Sequence, residues 1–104
     1  MHTLQSLADE IELSVEDFKP LLQAFIEQTE YDLDEIKKNI AEYDSIRVSE
    51  RIHSIKGAAL NLGFPEISRI VEEMSSANKS GNTAAMKEPL NACFKEVDTL
   101  KRLL

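Results

Sequence analysis

The apolar residues of this 104-residue chain recur every three or four positions, and runs that alternate apolar with polar residues are absent. The first spacing lines side chains up along one face of a helix, whereas a half-buried strand needs a period of two. The pattern predicts an all-α chain. With few glycines and prolines, and no repeat, low-complexity tract or linker, residues 1–104 read as one domain.

Start and stop signals divide the pattern. A first helix is predicted over Thr3 to about Glu12, with Thr3 as N-cap and Leu4, Leu7, Ala8 and Ile11 on one face. Ser14 then offers a capping oxygen, followed by Glu16 and Asp17 where the helix dipole favours acids. The long second helix places Leu22, Phe25, Ile26, Thr29, Leu33, Ile36 and Ile40 at core spacing, with a solvated acidic face of Glu27, Glu30, Asp32, Asp34 and Glu35. Pro20 lacks an N–H, which predicts a start near residues 18–20 or a kink there.

Asp44-Ser45 opens a third helix that runs from about Ile46 to Leu62 and ends at Gly63, a residue suited to a left-handed cap. Pro65 sits in the first turn of a fourth, whose buried stripe is Ile67, Ile70, Val71, Met74 and Ala77. A turn at residues 78–82 precedes a fifth, from about Thr83 to the C-terminus, carrying Met86, Leu90, Cys93, Phe94, Val97, Leu100 and Leu104. Pro89 predicts a bend or a late start in it. Long helices and short loops are most simply an antiparallel up-down four-helix bundle, with the short N-terminal helix capping or flanking one end.

Composition narrows function. Nineteen acidic against twelve basic residues give a net charge of −7, the wrong sign for nucleic acid. One cysteine, Cys93, excludes an internal disulfide, and with two distant histidines it cannot furnish a zinc site. No stretch approaches the ~20 apolar residues of a membrane span, and MHTLQSLADE lacks the features of a signal peptide. The expectation is a soluble, unexported protein in the cytoplasm, where the Asn78-Lys79-Ser80 triplet is not glycosylated.

One stretch resists a purely architectural reading: RIHSIKGAALNLG, residues 51–63. On a wheel of about 100° per residue with His53 at zero, Val48, Ile52, Ile55, Ala59 and Leu62 gather between about 180° and 260°, as the core stripe. Ser49, Lys56, Gly57 and Leu60 lie within about 60° of His53 and Asn61 about 80° away, so the imidazole is expected to face outward. Gly57 in mid-helix costs roughly 1 kcal/mol relative to alanine, and it removes a side chain one turn from the ring.

That clearance suits a reaction in which a phosphoryl group, with the surface of the protein carrying it, reaches a ring nitrogen. Lys56 offers donors and positive charge for phosphoryl oxygens. Its plainer reading is a solvated lysine, free or paired with Ser49 or Glu72. Leu60 and Phe64 are expected to form an apolar docking rim. Gly57 stands where a second metal ligand would be needed, and no oxyanion loop accompanies Ser49 or Ser54. No glycine-rich phosphate cradle occurs either, so the phosphate must come from another protein.

His53-Ser54-Ile55-Lys56-Gly57-Ala58-Ala59-Leu60-Asn61-Leu62-Gly63 resembles the signature of histidine-containing phosphotransfer (HPt) domains of two-component phosphorelays. The resemblance implies that His53 is the phosphoacceptor, through the ring nitrogen farther from the backbone. It implies that Lys56 supports the phosphoryl oxygens and Gly57 admits the partner, with docking at Ser49, Leu60, Asn61 and Phe64. The partners implied are a response-regulator receiver domain, which supplies the aspartate and Mg²⁺, and a sensor or hybrid histidine kinase. The chain itself would be a monomeric carrier without cofactor or metal, not an enzyme, either free-standing or part of a larger sensor. The alternative is a helical interaction module that regulates a receiver or kinase by binding alone; a structural bundle that self-assembles is a third reading. Which of Ser68, Arg69 and Glu72 faces His53 stays open.

Overall fold

A computed structural model describes residues 2–104 and is helical throughout apart from turns and ends. Its elements are α1 (Leu4–Glu10), α2 (Val15–Ala41), α3 (Ser45–Leu62), α4 (Pro65–Lys79), a 3₁₀ turn (Thr83–Met86) and α5 (Lys87–Lys101). Among the described residues there is no strand, and no helix is long and apolar enough to cross a membrane.

Local chemistry sets the helix starts. Thr3 accepts a hydrogen bond from the Ser6 amide, and the Ser6 hydroxyl accepts one from the Thr3 amide. Ser14 caps α2 through the Asp17 amide at 3.1 Å, and Asp44 caps α3 through the Arg47 amide at 3.1 Å. Each oxygen satisfies an amide that has no partner within its helix. Pro65 opens α4 at its first position.

Two expected helix bounds need correction, and for the last helix the late start is the alternative that is met. The first helix stops at Glu10 rather than near Glu12, because Glu12 adopts φ 58° to turn the chain into α2. The second starts at Val15 and continues through Pro20. Glu16, whose carbonyl loses the proline's missing donor, lies with Pro20 on the exposed side, where water can replace the bond. In the last segment the 3₁₀ turn absorbs residues 83–86 and Pro89 becomes the third residue of α5, the late start that proline favours.

Helix α2 packs on α3, α3 on α4, α4 on α5 and α5 again on α2, while α1 rests on α2. The buried apolar side chains form one cluster along this ring, including Phe18, Leu22, Leu33, Ile36, Val48, Ile55, Val71, Met74 and Val97. Each large side chain so buried is worth roughly 1.5–3 kcal/mol against exposure. The 42 Å long dimension matches the 27 residues of α2 at about 1.5 Å each. Leu104, expected in the core, is 41% exposed, because α5 ends at Lys101 and the last residues leave the stripe.

Asp32 also departs from expectation. It is buried beneath Arg51 of α3, whose Nη1 donates to Asp32 Oδ1 at 3.2 Å, and Gln28 Nε2 donates to the same oxygen. Asp32 Oδ2 has no partner. The Arg51 guanidinium also lies 3.8 Å from Glu35 and over the Tyr31 ring, and the Asp32 carboxylate helps hold its pKa above the ordinary arginine value against partial desolvation. A buried carboxylate needs a paired donor, so this contact fixes how α3 is turned against α2.

Gly63 ends α3 at φ 76°, with a Cβ position only 3.2 Å from Ile11 Cγ2. Gly63→Ala is expected to lower stability by about 1–2 kcal/mol, from left-handed strain together with this contact, as measured by urea unfolding.

Candidate functional site

Burial of Val48, Ile52, Ile55 and Ala59 turns the opposite side of α3 to solvent. There Ser49, His53, Gly57 and Leu60 are exposed, and the Lys56 side chain keeps 39% of its surface. A Cβ placed on Gly57 would meet nothing within 4 Å. The fold therefore gains nothing from glycine there; whatever the missing side chain makes room for lies outside the chain.

The two flanks of His53 differ. Toward α4, Ser49, His53 and Lys56 face Glu72, Ser75 and Lys79 across a recess of about 200 Å³ floored by Ile52. Lys56 Nζ donates to Glu72 Oε1, so the pairing that was one of the plain readings of Lys56 is present. That hydrogen bond, then the charges of Lys56 and Lys79, hold the Glu72 carboxyl below its ordinary 4.5. Toward α2, Asn61 and Ala58 border an open groove with Leu21, Ala24, Phe25 and Gln28. Leu21, 47% exposed, gives that side an apolar surface, and Leu60, 60% exposed, adds another beside His53 on α3.

Phe64 is not part of the surface, which corrects its expected place on the docking rim. It is 6% exposed and packs edge-on against Phe25, ring centroids 5.1 Å apart. The left-handed turn at Gly63 breaks the helical wheel, so its phase cannot be extended to residue 64. The Phe64 carbonyl instead receives the Ser68 amide and hydroxyl at the start of α4. Ser68 is thereby committed, and Arg69 is held by Glu66 and Glu73 on its own helix. Of the residues left open, Glu72 is the one that lines the recess.

Ser75 and Lys79 were missed in the sequence, although with Glu72 they follow an i, i+3, i+7 spacing on one face of α4. A further cleft of about 190 Å³ lies at the α2–α3 turn, bordered by Asn39, Tyr43 and Met86. Its one carboxylate, Asp44, is taken up by the Arg47 amide and guanidinium. Among the described residues no group of three His, Cys, Asp or Glu side chains could hold a metal ion. Burial pushes the Cys93 thiol up to about 12, which leaves no thiolate for chemistry near neutral pH.

Among the described residues the chain is helical, with an exposed histidine beside a recess lined by two lysines and a glutamate. The model of the Hpt domain matches residues 20–103, and the chain belongs to that family. Hpt domains are phosphocarrier modules of two-component signalling rather than conventional enzymes, and they interact with receiver domains and histidine kinases. No curated protein and no solved structure matches the chain.

Two measurements check this geometry. Gly57→Ala is expected to stabilise the fold by about 0.5–1 kcal/mol in urea unfolding, since helix propensity improves and nothing is displaced. An NMR titration of the Glu72 carboxyl is expected to give a midpoint below 4.5 that moves back up in Lys56→Gln. Because the folded value is depressed, the contribution of this pair is present above the unfolded Glu pKa and lost as pH falls through the folded one.

Proposed function

We propose that His53 accepts a phosphoryl group from a receiver aspartate or a sensor kinase and passes it to another receiver aspartate. The observation that carries this reading is an exposed histidine beside Lys56, with open space over Gly57 that the fold does not use. Transfer from an aspartyl phosphate breaks the P–O bond, and the electron pair stays on the aspartate. The lone pair of the unprotonated ring nitrogen, Nε2, forms the new P–N bond, and Nδ1 keeps its hydrogen. The ring gains one positive charge and the aspartate regains its negative one.

In this reading Lys56 Nζ donates to phosphoryl oxygens, and the receiver brings Mg²⁺ and the reacting aspartate, so the chain binds no cofactor. Ser49, Leu60 and Asn61 contact the receiver, joined by Leu21 across the α2–α3 groove. Residues 1–104 act as one monomeric domain in the cytoplasm. Connections of two or three residues between α2, α3 and α4 support an antiparallel up-down arrangement of the four long helices. One observation favours the alternative of a binding module that carries no phosphate: Lys56 already has an anionic partner in Glu72.

The test incubates the purified chain with phosphorylated receivers and autophosphorylated kinases and looks by mass spectrometry for acid-labile phosphate on His53. His53→Gln is expected to abolish label while changing stability by under ~0.5 kcal/mol, as for an exposed position. Gly57→Leu is expected to fold and to lose transfer through steric block. Receiver binding without label at His53 would favour the binding module.

A further inference from the structure

The recess beside His53 is built from two matched rows. Helix α3 supplies Ser49, His53 and Lys56 at i, i+4 and i+7; α4 supplies Glu72, Ser75 and Lys79 at i, i+3 and i+7. Its charged groups are two lysines and one carboxylate, and the carboxylate is bonded to the lysine nearer the histidine in sequence. A protein-bound phosphoryl group carries roughly −1.5 to −2 charge near neutral pH and needs donors and cations around it. Lys56 and Lys79 together could match that charge. Glu72 cancels half of what they offer and occupies Lys56 in the unphosphorylated chain.

Resting on the assignment of His53 as phosphoacceptor, we propose that Glu72 is an antagonist of the phosphorylated state and that Lys79 is a second cation for the phosphoryl oxygens. Glu72 holds Lys56 while His53 is bare. When the phosphoryl group arrives it competes for the same Nζ donors and repels the carboxylate, while Lys79, reaching in from the last turn of α4, adds attraction. The strength with which the domain retains its phosphate is then set by two α4 side chains with opposite effects. A moderate hold suits a group that must be passed on, and Glu72 is what moderates it.

The prediction can be read without any partner protein. Phosphoramidate phosphorylates histidine directly: its P–N bond breaks, ammonia leaves, and a new P–N bond forms to the ring nitrogen. After labelling the full chain and locating the phosphate by mass spectrometry, the pH midpoint of the phosphoryl group is followed by ³¹P NMR. A nearby cation favours the dianion and lowers this midpoint; a nearby carboxylate raises it.

Lys79→Gln is expected to raise the midpoint and Glu72→Gln to lower it, each by roughly 0.2–0.7 unit, the scale of one partly exposed charge. Lys79→Arg is expected to keep the native value. A purely architectural role for these residues predicts no such opposed pair of shifts. Label at His53 with both midpoints within about 0.1 unit of native would overturn this proposal and leave the carrier reading intact. Absence of label at His53, with phosphate at His2 or nowhere, would overturn both.

Discussion

The structure depends on how one helix is turned about its own axis. Helix α3 lies between α2 and α4 and must bury Val48, Ile52, Ile55 and Ala59, and a rotation by one residue, about 100°, would replace three of these four with polar side chains. The Asp32–Arg51 contact imposes the same orientation by a different force, since a carboxylate with 2% of its surface exposed tolerates no loss of its guanidinium. Hydrophobic burial on one side and an ion pair at its margin thus agree on a single angle. His53 stands outside because these other residues have to be inside.

What surrounds the histidine follows from that angle. One flank, shared with α4, is small, charged and floored by an aliphatic side chain; the other, shared with α2, is open and largely apolar. In the carrier reading proposed above, the first would compensate phosphate charge and the second would meet another protein surface. Gly57 lies at the exposed crest between them. A glycine in mid-helix that no neighbour requires is a local loss of stability, of the kind proteins keep where function asks for it.

Much of this was legible in the sequence because helix periodicity, caps and breakers are local signals. The core stripes of α3 and α4, the caps at Thr3, Ser14 and Asp44, and the turn at Gly63 all rest on residues within a few positions of one another. The misreadings share a different origin. Asp32 is expected in solvent from its charge, although it lies at core spacing between Thr29 and Ile36, and the cation that compensates its burial, Arg51, stands 19 positions away. Phe64, expected on the rim because it lies just beyond Leu60, follows the left-handed turn at Gly63 that redirects the chain into the core. The α4 side of the recess was invisible because facing rows on two helices become neighbours only through their packing, which no single-helix pattern encodes.

The α3–α4 turn has a consequence for the order in which the molecule assembles. Both rows of the recess come from helices joined by only Gly63 and Phe64, so Lys56 and Glu72 are 16 residues apart along the chain. Closing the ring between α2 and α5 instead joins groups as distant as Glu30 and Lys101, 71 residues apart. Loop-closure entropy rises with separation, so local hairpins form sooner than remote contacts. The contacts that frame the recess thus need less loop closure than the α2–α5 contact that completes the ring.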